Sequence, residues 1–332
     1  MKRALPWICF AAFALLWLAL RVFWLDADGG TPSLWEYGYF VTDEGYYMGG
    51  GKDKFLYGFF CDTPLRESFT YGYSALTHHL AYLGYLAFGL NGWGWRVPFL
   101  VLYFCAWAMA FFHVKRAAGA PAALVSCAIF SSLPVVVEYE RTACNDLAIA
   151  SLAVIAFCTA AGRGKWRIFA SAAIAGAAGL IKPSVWIILP IVASGILSER
   201  KTSKAWLDLL LFAASAAAAA FLWRLALLAS LLPEAAAHGM TPGEIVRMTT
   251  THNELPSLFD FVQLAKGLSS FPRDICFKAL GPVAALVAVF PLALAAMCIA
   301  GRQWNWKLLL FLSVPAYVAG VSVNNSICLH YY

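Results

Sequence analysis

Apolar residues in this chain come in long runs, separated by short basic stretches and by two longer mixed segments. A helix rises about 1.5 Å per residue, so about 20 apolar residues cross the hydrocarbon layer of a bilayer. That rule predicts crossings at roughly 4–25, 95–114, 118–137, 145–161, 168–181, 184–198, 205–232, 279–300 and 307–323. The stretch 168–181 is short, carries Gly176 and Gly179 and runs into Lys182-Pro183, which reads as a half-length helix stopped at the membrane surface. Between Tyr73 and Leu90, His78, His79 and Tyr82 interleave with apolar positions, predicting a helix that lies along the surface. Thr241-Pro242-Gly243-Glu244 reads as another helix start, and Ala213 to Ala220 as a site of close helix packing.

Composition fixes the class. The 332 residues are 61% hydrophobic and only 13% charged, against about 25% charged in soluble domains, and the mean hydropathy is +0.70. The expectation is an all-α membrane protein: a polytopic transmembrane helix bundle, one domain over 1–332, with surface helices in outer loops at about 26–94 and 233–278. Lys2-Arg3 followed by an apolar run resembles a secretory leader, but no small-x-small cleavage site follows, so the first helix reads as uncleaved.

Charge placement then orients the chain. Lys2, Arg3, Lys115, Arg116, Arg163, Lys165, Arg167, Arg200, Lys201, Lys204, Arg302 and Lys307 fall on the side of the N-terminus, against only Glu199 and Asp208. Short basic loops belong in the cytoplasm, so the N-terminus is expected inside a cell (inner or plasma) membrane and both long loops outside. The sequence has no basic tract interleaved with aromatics, which argues against nucleic acid as a partner. It also lacks a P-loop, a G-x-S-x-G elbow and an H-E-x-x-H helix. Nine cysteines are scattered singly; Cys61, Cys144, Cys276 and Cys328 fall in or beside the outer loops, where spacing alone chooses no disulfide.

The candidate chemistry sits in those outer segments. Asp43-Glu44 is surrounded by Tyr37, Tyr39, Phe40, Tyr46 and Tyr47, with Gly49-Gly50-Gly51 as flexible backbone nearby. The bland reading is a solvated acidic turn. The functional reading is a sheltered carboxylate with a raised pKa that serves as a general base. Glu138-Tyr139-Glu140-Arg141 and Asn145-Asp146 bridge the third and fourth crossings, where Asp146 reads equally as a helix cap and as a site residue. Lys182 must reach outward or find an anion, a phosphate among the choices. Arg96, Arg224, Arg247, Arg273 and Lys278 lie at or beyond outer helix ends and add basic groups there. His78-His79 reads as interfacial polar residues, and His330-Tyr331 returns to the outer face at the end of the chain.

In order and membrane side, these residues resemble the membrane-embedded GT-C glycosyltransferases, in particular the group of protein O-mannosyltransferases and lipid A aminoarabinose transferases. The matching features are Asp43-Glu44 and its tyrosines after one helix, the Phe88-Gly89 to Arg96 approach, Arg141 to Asp146, Gly179 to Pro183, and His330-Tyr331. Ser68-Phe69-Thr70-Tyr71 stands where family members often carry Pro-Pro, and the chain stops at Tyr332 where relatives continue, as a shortened member or a fragment would. The resemblance implies an inverting transfer of a sugar from a polyprenyl-phosphate donor to a glycan, lipid or protein acceptor at the outer face of the bilayer. Asp43 would be the base, with Glu44 orienting the acceptor or a divalent cation. Arg141 and Lys182 would meet the donor phosphate, and Tyr46, Asp146, His330 and Tyr331 would line the substrate site. The cofactor is left open.

Two other readings compete: a transporter or flippase for a lipid-linked or anionic substrate, and a noncatalytic scaffold. Transporters keep their key charges near the bilayer midplane on broken helices. Here the unusual charges cluster outside.

Overall fold

The computed structural model describes residues 5–23, 25, 40–60, 75–132, 137, 140, 141, 143, 145–162, 164–181, 188–199, 202–237, 239 and 241; at 40–47, 130, 132, 146, 198, 199, 202–204, 234 and 235 it describes backbone only. The described residues form helices α1 (Leu5–Val22), α2 (Phe40–Tyr57), α3 (Ala75–Phe88), α4 (Gly92–Ala118), α5 (Ala120–Ser132), α6 (Asn145–Ala160), α7 (Trp166–Ala178), α8 (Ile188–Glu199) and α9 (Thr202–Ala237), with no strand among them. The chain is an all-helical polytopic membrane protein. Residues Leu5–Val22, Gly92–Ala118 and Ala205–Pro233 are long and apolar enough to cross a bilayer on their own. Every crossing expected between residues 4 and 232 coincides with a helix. The expected spans 279–300 and 307–323, and the helix start at Thr241-Pro242, lie outside the described residues or at their edge.

Helix α4 is the centre of the bundle. Phe99, Tyr103, Trp107 and Phe111 are buried along it, and α1 lays aromatic rings against them. Phe10 meets Phe111 at 4.4 Å and Trp107 at 5.3 Å, and Trp17 meets Phe104 at 5.3 Å between centroids. Offset aromatic contacts of this kind add packing energy beyond area burial.

Small residues do the opposite work on the far side of the bundle. Ala172, Ala175 and Ala178 of α7 are buried, and a Cβ on Gly176 would lie 2.8 Å from the Ala220 nitrogen and 2.9 Å from the Ala219 Cβ. Helices α7 and α9 therefore approach backbone to backbone, the packing mode that alanine and glycine permit in membranes. Helix α7 itself is only 13 residues long, and Gly179, Leu180 and Ile181 close it with tight turn hydrogen bonds to Gly176, Ala177 and Ala178.

At the end of the bundle where α1 begins, cations sit against aromatics and carbonyls. Lys115 Nζ lies 3.6 Å from the Trp7 ring centroid, Arg167 stands 5.0 Å over Trp166, and Arg116 donates to the Ala161 carbonyl. At the opposite end Gly89, with φ +80°, turns the chain from α3 into α4. Asn91 then caps α4 by accepting from the Gly94 amide at 3.0 Å.

Candidate functional site

Helix α2, the start of α6 and the end of α7 meet the first turns of α3. Three contacts make the junction. The Leu76 amide donates to the Leu180 carbonyl at 3.2 Å, joining α3 to the end of α7. Thr77 Oγ1 donates to Asn145 Oδ1 at 2.6 Å in a buried bond, joining α3 to the first residue of α6. His78 faces α2, where a Cβ on Gly50 would lie 3.0 Å from the imidazole Cγ and Nδ1. One turn of α3 thus touches α2, the first residue of α6 and the end of α7.

Asp43, Glu44 and Tyr46 are on the backbone of α2, about one to two turns before Gly50 and Gly51. This corrects the expectation of an acidic loop beside a flexible glycine run, because Gly49-Gly50-Gly51 is helical. A Cβ on Gly51 would lie 2.5 Å from the His78 carbonyl oxygen and 2.8 Å from the Ala81 Cβ. Glycine here costs helix propensity but lets α2 and α3 meet at backbone distance. The side chains of Asp43, Glu44 and Tyr46 are outside the described part of the chain. So is that of Asp146, the second residue of α6. Lys182, His330 and Tyr331 lie wholly outside the described residues. Lys182 follows by two positions the Leu180 whose carbonyl meets α3.

Arg141 is described and half-buried. It lines an open groove of about 480 Å³ with Ala19, Leu20 and Phe23 of the end of α1. Phe23 is 71% exposed, so the groove presents apolar surface with a cation beside it.

Two sequence readings need correction. His78 is not an interfacial polar residue but fully buried; its neighbour His79 bonds the Ala75 carbonyl at 2.8 Å and packs its ring, tilted by 32°, with its centroid 4.4 Å from that of Phe60. The difference follows from α2, which covers one side of α3 once its glycines pack. Arg96, expected to offer a cation at the outer surface, is buried and donates to the Leu25 carbonyl at 2.5 Å, tying the end of α1 to the start of α4.

Sequence reasoning missed the strongest polar interaction in this region. Arg21, fully buried near the end of α1, makes an ion pair with Glu140, with Nε to Oε2 at 2.5 Å. Its Nη1 donates to the Ser131 carbonyl at 3.1 Å and to the Trp17 carbonyl at 3.4 Å, and the guanidinium lies 4.5 Å from the Trp17 ring. Burial pushes the Glu140 carboxyl above its ordinary range, and the Arg21 charge and hydrogen bond draw it back. The signal was present: an arginine inside an otherwise apolar helix requires a named partner. Among the described residues no group of three His, Cys, Asp or Glu side chains gathers as a metal site would need.

The architecture so defined, a polytopic all-helical bundle with surface helices folded onto one end, has known counterparts. It is similar to the crystal structure of ArnT from Cupriavidus metallidurans in the apo state, with a TM-score of 0.54 and 16% identity over 97% of this chain and 60% of that one. ArnT is a lipid A aminoarabinose transferase of the GT-C group. The structure of the same protein bound to undecaprenyl phosphate matches with a TM-score of 0.52 and 15% identity, covering 96% of this chain and 59% of that one. At this identity the likeness establishes a GT-C-like fold, and the chain spans about 60% of the length of ArnT. No family model matches the sequence, and a search of curated proteins finds no match.

Proposed function

We propose that this chain is a membrane-embedded inverting glycosyltransferase that moves a sugar from a polyprenyl-phosphate donor to an acceptor on the extracytoplasmic face of a cell membrane. The observation that carries the reading is the junction at Leu76, Thr77 and His78, where α2, α6 and α7 meet α3 in a fold shared with an ArnT structure bound to undecaprenyl phosphate. The junction supports the reading because it joins to α3 the helix that carries Asp43 and Glu44, the helix that carries Asp146, and Leu180, two positions before Lys182.

In this mechanism Asp43 takes the proton from the acceptor nucleophile as that atom attacks C1 of the sugar. The bond from C1 to the phosphate oxygen breaks on the opposite side, inverting the centre, and the electron pair leaves with the lipid phosphate. Glu44, Tyr46 and Asp146 hold the acceptor and sugar, and His330 and Tyr331 complete the substrate site. Arg141 and Lys182 meet the phosphate charge as it develops. The groove formed by Ala19, Leu20, Phe23 and Arg141 offers the lipid chain an apolar path beside a cation. Phosphate is already a good leaving group, so positioning and base catalysis are the protein's main contributions.

The test is turnover by purified protein with a polyprenyl-phosphate sugar and a panel of glycan, lipid and peptide acceptors, comparing wild type with Asp43→Asn. Loss of turnover with donor binding retained supports the assignment. Full activity in Asp43→Asn removes Asp43 as the base. A wild type that binds the lipid but transfers no sugar, and moves it between leaflets of a vesicle, replaces the enzyme with a lipid carrier.

A further inference from the structure

The Arg21–Glu140 pair belongs to none of the roles above, yet it is built with more care than a chance surface contact. Arg21 is fully buried and Glu140 nearly so, at 11% exposure of its side chain. The arginine contacts three elements: Glu140, the Ser131 carbonyl at the end of α5, and the Trp17 carbonyl one turn back on α1. A lysine has no planar fork with which to bind acceptors in several directions at once. The residue after Glu140 is Arg141, which lines the groove against Ala19, Leu20 and Phe23 of the same α1. The carboxylate that anchors the segment and the cation that faces the groove are thus adjacent in sequence, and both meet the last turn of α1.

We propose that Arg21 and Glu140 form a positioning clamp that holds Arg141 in its place beside the groove, so that the donor's phosphate is met by a fixed rather than a mobile cation. Neither clamp residue touches substrate. The proposal rests on the reading of Arg141 as a phosphate-binding residue, and its structural half stands without that reading. Two properties fit a positioning role better than a purely stabilising one. A buried ion pair is often no more stabilising than apolar residues of the same volume, so its retention calls for another reason. It also joins α1 to the end of α5 and to the segment at Glu140 that carries Arg141, so its loss loosens the local definition of that segment.

The experiment uses the full-length protein in lipid nanodiscs with three variants, Arg21→Met, Glu140→Gln and the double Arg21→Met/Glu140→Leu. Three quantities are read: amide hydrogen exchange around Glu140 and Arg141, thermal stability, and KM and kcat for a polyprenyl-phosphate sugar. The clamp predicts that Arg21→Met raises exchange around Glu140 and Arg141 by about tenfold and raises donor KM by a similar factor, with kcat changed much less. Glu140→Gln, which keeps an oxygen acceptor, falls between. The double variant regains thermal stability but not donor KM, because the apolar pair packs without holding the connection. If the double variant restores KM together with stability, the pair is structural only and the proposal fails. It fails equally if Arg21→Met folds and leaves exchange at wild-type levels. Should wild type transfer no sugar, the exchange measurement still decides the clamp, and the loss falls on the functional reading alone.

Discussion

Thr77 Oγ1 donates to Asn145 Oδ1 at 2.6 Å with both residues buried, tying α3 to the residue that opens α6 and immediately precedes Asp146. Removing the hydroxyl leaves the Asn145 amide oxygen buried without this donor, which costs about 1–3 kcal/mol. Thr77→Val is therefore expected to lower the thermal midpoint of the purified protein, whereas Thr77→Ser stays near wild type. Because α6 then loses its tether to α3, Thr77→Val is also expected to lose more turnover than stability alone explains. Equal midpoints for Val and Ser would show that the bond contributes nothing.

The helices up to residue 232 were legible because a run of apolar residues long enough to cross a bilayer has few alternatives to a helix. The short α7 was legible too, since Gly176, Gly179 and Lys182-Pro183 announce a stop. What periodicity did not reveal was α2. Its sequence from Phe40 to Tyr57 holds three consecutive glycines, three acids and two lysines and reads as loop by propensity. It is helical because Gly50 and Gly51 permit contact with His78 and Ala81, a tertiary gain that no local scale contains. The same contact buries His78, which a reading of α3 alone leaves at the interface. For the candidate site, sequence order named acids that fall on α2 and α6, which both meet α3, while Lys182 lies outside the described residues; the Arg21–Glu140 pair spans 119 positions and only folding reveals its partner.

Gly51 provides the sharpest test of that tertiary gain. A Cβ there meets the His78 carbonyl oxygen at 2.5 Å, a backbone atom that cannot rotate away. Gly51→Ala should force α2 away from α3 at a cost of about 1–3 kcal/mol, the range for overpacking, despite alanine's better helix propensity. Since Asp43 is on the same helix, turnover should fall as well. Lys52→Ala, at an exposed neighbouring position, is the control and should leave both quantities unchanged. A stabilised Gly51→Ala protein would mean that the close approach of α2 to α3 is wrong.

Arg96 separates structural from substrate cations. It is buried and donates to the Leu25 carbonyl at 2.5 Å, a charge-assisted bond of a kind that contributes about 1.5–3 kcal/mol. Arg96→Met should destabilise the fold by that amount, measured as a shift in chemical or thermal midpoint, while donor KM in the remaining folded protein stays at the wild-type value. A donor-specific defect with unchanged stability would return Arg96 to the phosphate site.

Arg141 and Leu20 line one groove but should respond to different parts of the donor. On the proposed function the guanidinium would meet a phosphate whatever the length of the lipid, so Arg141→Ala should weaken donors with short and long prenyl chains alike, by about tenfold or more if one charge-assisted contact is lost. Leu20 gives only apolar surface, so Leu20→Ser should penalise a long-chain donor and spare one whose chain is too short to reach it, following the area of hydrocarbon in contact. Competition binding with two donors that differ only in chain length measures both effects in one assay. If Leu20→Ser weakens the two donors equally, the lipid does not run along this side of α1, and Arg141 meets the phosphate from another direction.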